Sequence, residues 1–137
     1  MQTNKIKFKR YCKTLTLKGD PELIEEYKKV HANGGIWPEI AEGMKKVGIL
    51  DMEIYLYGNQ AFMIMDTVPD FDHDRDLARL MEQPRQKEWE KYVSKFQNTS
   101  EDASAADKWQ LMERIFKIDQ EEEYEPIDGQ VEEIPVE

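Results

Sequence analysis

One cysteine, two histidines and no long apolar run set the first limits on this chain of 137 residues. With Cys12 alone, an internal disulfide is impossible and a thiolate metal cluster within one chain is excluded. The residue lies in a strand-like stretch and is expected to be a small buried hydrophobe, not a nucleophile. No apolar stretch approaches the roughly 18–20 residues of a membrane-spanning helix. The opening residues, Met1 to Lys7, lack the hydrophobic core of a secretion signal, so a cytoplasmic protein is expected. Positive charge is scarce too, since 19 Lys and Arg against 29 Asp and Glu leave a formal net charge of -10. Nucleic acids and anionic membrane surfaces are held by clustered cations, so neither is an expected partner. Internal repeats, a glycine-rich phosphate loop and metal-ligand spacing are all missing, and no metal is expected.

What is present reads as one domain with one modest core. Phe8 to Lys18 alternates, with Tyr11, Leu15 and Leu17 on one side and Thr14 and Thr16 on the other, which predicts a strand. Asp20 is a good N-cap and Pro21 a good first helical residue. The helix they open should run to Val30 or His31, with Leu23, Ile24, Tyr27 and Val30 on its apolar stripe. Asn33-Gly34-Gly35 then stops it. Pro38 starts a second helix through Ile40, Met44 and Val47, which Gly48 ends. Ile49 to Tyr57 and Gln60 to Val68 are strands joined at Gly58-Asn59, a dipeptide suited to a tight hairpin. Asp72 or His73 opens a third helix, and Pro84 separates it from a fourth over Arg85 to Phe96, striped by Trp89, Tyr92, Val93 and Phe96. Asn98 to Asp107 reads as a polar loop, and Lys108 to Ile118 alternates as a last strand.

The order is strand, interrupted helix, strand, strand, interrupted helix, strand, the ferredoxin-like βαββαβ arrangement of an α+β domain. The domain is expected over residues 1–119. Residues 120–137, rich in Glu121, Glu122, Glu123 and Glu125, form an acidic C-terminal tail with too little apolar content for a domain of its own. A solvated extension is the plain expectation for it, and addition of Val131 to Val136 to a sheet edge is the alternative.

One stretch, Tyr27 to Glu39, concentrates chemistry. Tyr27 and His31 are four apart on a helix and share a face, and Trp37 enters the next helix close by. Imidazole gives and takes protons near neutrality, tyrosine donates hydrogen bonds, and indole faces stack on the C–H face of a sugar. Carboxylates such as Glu113 and Asp66 bind hydroxyls. The residues by themselves leave open whether His31 is a proton-transfer group or a packed histidine. By its stripe Trp89 is a core residue, and His73 reads as a surface residue at a helix entry.

The motifs Tyr27-x-x-x-His31 and Ile36-Trp37-Pro38-Glu39 are followed by Ile54-Tyr55-Leu56 in a hairpin, Trp89 on a late helix and Met112-Glu113-x-Ile115-Phe116. Together they resemble the L-rhamnose mutarotase family over roughly residues 8–118. The resemblance implies a homodimer of ferredoxin-like domains, of the dimeric α/β-barrel type. It also implies an isomerase that interconverts the α and β anomers of a 6-deoxy-L-hexose without cofactor or metal. His31 matches the catalytic histidine and Tyr27 a substrate-holding tyrosine. Trp37 and Trp89 match substrate-site tryptophans, with Glu113 or Asp66 orienting hydroxyls. Two features depart from the rhamnose pattern. Glu88 stands before Trp89 where many members pair two tryptophans, and four residues, not two, separate His31 from Ile36-Trp37-Pro38. The longer spacing, with Asp51-Met52-Glu53-Ile54 and Met112-Glu113-Arg114-Ile115-Phe116, looks more like the L-fucose branch. The competing expectations are a cofactor-independent or haem-degrading monooxygenase, which uses a similar fold, and a non-catalytic sugar-binding module.

Overall fold

Alternation along the first strand is realised as β1 (Asn4–Thr16), which turns Tyr11, Leu15 and, against its polarity, Lys13 toward a buried layer. A computed structural model describes residues 4–32, 34–99, 103, 105–118 and 130–136. Asp20 caps α1 (Pro21–His31), accepting from the Glu22 amide at 2.9 Å, and Pro38 opens α2 (Pro38–Lys46). Strands β2 (Ile49–Tyr57) and β3 (Gln60–Thr67) meet across Gly58, whose φ of 61° supplies the turn. Asp72 caps α3 (His73–Met81), and α4 (Gln86–Val93) follows after Pro84.

The sheet runs β2-β3-β1-β4, with β3 antiparallel to both β2 and β1 and β4 antiparallel to β1. That is the strand order of a ferredoxin-like α+β domain, as the element order predicts. One face carries Tyr11, Leu15, Ala61, Met63 and Met65, and residues from α1 through α4 close over it in a single core. On the other face Arg10, Cys12 and Thr14 lie in register with Asp66, Ile64 and Phe62. Cys12 is there half-buried, not enclosed in the core as expected.

Two expectations fail at the C-terminal side. The polar loop contains a one-turn helix, α5 (Ala105–Lys108), because Lys108 is drawn into the interior by Glu90. The long last strand shrinks to β4 (Gln110–Leu111), and the Met112 amide donating to the Cys12 carbonyl at 2.7 Å continues it by one bond. The edge of β1 farther on is taken over Asn4 to Arg10 by β5 (Gln130–Val136). Residues 113–118 therefore have no ladder to join, and Ile115, Phe116 and Ile118 are exposed despite their alternation. The stretch read as a tail thus carries a strand over the positions given as the alternative; Glu121 to Glu125 lie outside the described residues.

Two further features hold the frame. Asp76, buried in the first turn of α3, accepts from the Asp72 amide at 2.8 Å and from the guanidinium groups of Arg75 and Arg79. Hydrogen bonding to Arg75 above all keeps its carboxyl far below the usual range. Gly48 joins α2 to β2 at φ 103°, and a Cβ there would lie 2.9 Å from the Val68 Cγ2. Gly48→Ala is expected to cost about 1–3 kcal/mol from backbone strain, read as a lower urea midpoint. Gly19→Ala, where a Cβ would meet nothing within 4 Å, is the control and should stay within about 0.5 kcal/mol of the parent.

Candidate functional site

The end of α1 delivers the histidine. His31 Nδ1 lies 2.9 Å from the Tyr27 carbonyl oxygen. A carbonyl only accepts, so Nδ1 carries the proton and Nε2 keeps its lone pair. Burial pushes the imidazole below its ordinary value, with the hydrogen bond to Tyr27 opposing in part. The neutral, Nε2-basic form is therefore the one favoured at neutral pH. The Tyr27 ring packs on the imidazole at 4.4 Å between centroids. Burial is also the main reason that its phenol is pushed up to about 12, so it stays a hydrogen-bond donor; a hydrogen bond from Gln97 lowers it and the charge of Glu90 raises it. The turn after α1 is constrained by Gly35, where a Cβ would overlap the Lys29 carbonyl and come within 2.9 Å of that of Val30. No side chain fits, and the chain passes close under α1 toward Trp37.

These groups line a cavity of about 360 Å³ between the sheet and the helices, a size suited to a small ligand. Its polar wall is Tyr27, His31, Lys13, Glu90 and Gln97, with Lys45 and Asp51 also lining it, and its aromatic wall is Trp89 and Trp109. Trp89 meets His31 edge-on at 5.6 Å. Lys13, almost fully buried, reaches His73 Nε2 at 2.5 Å, while His73 Nδ1 lies 3.0 Å from Asp74. His73 is thus largely buried in a contact that links the surface to the cavity wall, not a surface residue as expected. Glu90 is fixed on both oxygens: Lys108 Nζ donates to Oε1 at 3.0 Å and to the Glu90 carbonyl at 2.7 Å, and Gln86 Nε2 donates to Oε2 at 2.7 Å.

Of the residues expected in a site, Tyr27, His31 and Trp89 come together at the cavity. Trp37 stands one layer behind, edge-on to Trp89 at 5.2 Å and stacked on Tyr92 at 5.6 Å, with the Arg85 guanidinium 4.1 Å over its ring. It braces the aromatic wall without lining it. Asp66 and Glu113 do not reach the cavity. Asp66 is on the outer sheet face, bound by Arg10 at 2.8 and 3.1 Å, because the pleat turns its neighbours Met65 and Thr67 inward. Glu113 follows the short β4 and is exposed. The carboxylates at the cavity are instead Glu90, which is buried, and the exposed Asp51. Glu90, Asp51, Gln97, Lys13 and Trp109 are absent from the expected set, although a signal existed for some of them. Gln86, Glu90 and Gln97 recur at i, i+4 and i+11, with Val93 at i+7, polar residues at helical spacing on an otherwise apolar buried face that runs on past the end of α4. Among the described residues, no group of three or more His, Cys, Asp or Glu side chains is placed to hold a metal ion, and no helix is long and apolar enough to cross a membrane.

Comparison with known proteins identifies the family. Residues 10–118 match the sequence profile described as L-rhamnose mutarotase. An L-fucose mutarotase from Xanthomonas campestris pv. campestris is 31% identical over 109 residues, covering 80% of this chain and 87% of that protein. A Dictyostelium discoideum protein of family UPF0734 is 35% identical over 116 residues, covering 82% and 91%. The crystal structure of an L-rhamnose mutarotase from Formosa agariphila superposes with a TM-score of 0.60 at 18% identity, covering 80% of this chain and 98% of that one. At that identity it attests the fold.

Proposed function

Because the chain belongs to the L-rhamnose mutarotase family, whose members are isomerases acting on sugars, we propose that it interconverts the α and β anomers of a 6-deoxy-L-hexose, with L-fucose preferred over L-rhamnose. The observation that carries the reading is the His31 imidazole, which is held with Nδ1 on the Tyr27 carbonyl and Nε2 basic at the wall of the cavity. Nε2 takes the proton of the anomeric hydroxyl as the ring C–O bond breaks, and the Tyr27 hydroxyl supplies the proton that the ring oxygen gains. The open-chain aldehyde turns about its C1–C2 bond, and the hydroxyl adds back to the other face. The two protons then return, the ring-forming hydroxyl giving its own to Tyr27 and the imidazolium its own to the new anomeric oxygen. Trp89 and Trp109 supply apolar faces for the sugar's C–H groups.

The L-fucose preference is supported by likeness to the Xanthomonas L-fucose mutarotase and by the four residues between His31 and Ile36. The protein acts, on this reading, as a cytoplasmic homodimer. The outer sheet face supports a second copy as partner, with Tyr55 and Tyr57 exposed on β2 beside Phe62 and Ile64, and with Ile115 and Phe116 uncovered past β4. Saturation-difference NMR on L-fucose, L-rhamnose and D-galactose tests the activity, and sedimentation equilibrium on the same sample tests the assembly. Accelerated exchange greatest for L-fucose, from a particle of two chains, is expected. Exchange at the buffer rate on all three sugars would refute the activity.

A further inference from the structure

Gln97 is built into the cavity wall with one polar atom left over. Its backbone is pinned from both sides: it bridges Leu17, its amide donates to the Ser94 carbonyl at 3.2 Å, and the next amide, of Asn98, donates to Thr16 at 3.0 Å. The residue is only 2% exposed. Its side-chain amide acts on the Tyr27 phenol as a donor does, lowering that group's pKa, while Oε1 is buried with no hydrogen-bond partner. A buried carbonyl oxygen without a donor costs stability. Such atoms are few in native proteins, and each calls for an explanation in strain, catalysis or a missing partner. No strain accompanies this one, since the only described non-glycine residue with positive φ is Arg85.

The neighbouring groups say what the partner is. With the Gln97 N–H turned to the phenol oxygen, the Tyr27 O–H is left for the ring oxygen, and Gln97 Oε1 stands beside it as an acceptor. A sugar hydroxyl, which can donate, fits that acceptor. Glu90, beside them, has one donor on each oxygen and further acceptor capacity on both. A ligand with several O–H groups satisfies all three.

We propose that Gln97 Oε1, side by side with the Tyr27 hydroxyl and near the Glu90 carboxylate, accepts one hydroxyl of the bound sugar and so determines which sugars the cavity takes. The proposal rests on the reading of this cavity as a sugar site. It separates the roles along the wall: His31 moves the proton, while Gln97 reads the substrate.

Gln97→Met, made in the full chain, keeps the volume and removes the acceptor together with the amide N–H directed at Tyr27. Without sugar it should unfold within a few degrees of the parent, because the unsatisfied oxygen and the donor are lost together. L-Fucose affinity, titrated by the fluorescence of Trp89 and Trp109, should fall about tenfold, the scale of one lost hydrogen bond. The parent should discriminate against one of 2-deoxy-, 3-deoxy- and 4-deoxy-L-fucose by a similar or larger factor, and Gln97→Met should not. Unchanged L-fucose affinity in Gln97→Met overturns the proposal, as does the same deoxy discrimination in both proteins. Should the variant fail to fold, equal affinity of the parent for all three deoxy sugars overturns it. A parent that binds L-fucose but leaves its anomers exchanging at the buffer rate refutes the mutarotase reading alone, and the affinity ratios still decide on Gln97. A parent that binds no sugar refutes both.

Discussion

His31→Asn should slow the exchange of L-fucose anomers by about 10²–10⁴-fold, the usual contribution of a positioned acid–base group. The variant is chosen to isolate Nε2. An asparagine amide nitrogen stands near the place of Nδ1 and can still donate to the Tyr27 carbonyl, so the helix end keeps its bond while the basic nitrogen is lost. The pH dependence carries a second signature. Burial holds the folded-state pKa of His31 below the ordinary 6.5, so the unfolded chain binds the proton first as pH falls. The stability contributed by keeping this imidazole neutral is complete above pH 6.5, falls as pH drops toward the lowered native value, and levels off below it. His31→Asn should lose that segment of the stability profile. In the parent, the acid limb of kcat/KM should lie below 6.5, because Nε2 must be unprotonated to act. A folded His31→Asn protein that exchanges anomers at the parent's rate would remove His31 from the mechanism.

Lys108→Met should destabilise the fold by about 3–5 kcal/mol, since it leaves Glu90 charged and buried with its main partner gone. The Lys108 side chain is fully enclosed and Glu90 9% exposed. An exposed pair such as Lys28–Glu25 is worth at most about 1 kcal/mol, so burial separates the two cases. For a chain of this size the loss corresponds to a melting temperature lower by on the order of 10 °C. Replacing both partners, Lys108→Met with Glu90→Leu, should recover most of it, because an apolar pair of similar volume escapes the desolvation cost. The recovered protein should still bind L-fucose less well than the parent, since Glu90 lines the cavity. If Lys108→Met alone melts with the parent, the pair does not hold α5 against α4.

Side-chain period and turn chemistry carried most of the architecture. Asp20 with Pro21, Pro38, Gly48, Gly58 and Asp72 each act through local geometry, where a side-chain oxygen, a fixed φ or a positive φ decides the matter within a few residues. The elements they bound fall where the sequence predicts. The i, i+4 relation of Tyr27 and His31 is equally local, and the two rings pack on each other as it predicts. Lys13 was also legible in part, since it shares the parity of Tyr11 and Leu15 on β1, and a charge on a buried face announces a partner or a site.

The failures share one cause. Alternation over Lys108 to Ile118 describes a chain able to pair, but pairing depends on whether a strand edge is available, and most of that edge of β1 is bonded to β5. Asp66 and Glu113 carry the right functional group in the wrong direction, one by the pleat and one by lack of a ladder. Trp109, Lys108 and Glu90 meet across a separation of up to 19 positions in the chain, through a one-turn helix whose short sequence has no helical stripe to read.

The sequence by itself determined the element order through α4, the ferredoxin-like class and the His31–Tyr27 pair, because each follows from interactions among residues a few positions apart. Only the tertiary structure decided which carboxylates face the cavity, that Trp37 braces rather than lines it, and that Gln97 holds a buried acceptor without a donor. Those are properties of facing surfaces and of solvent exclusion, and they exist only once the helices have closed over the sheet.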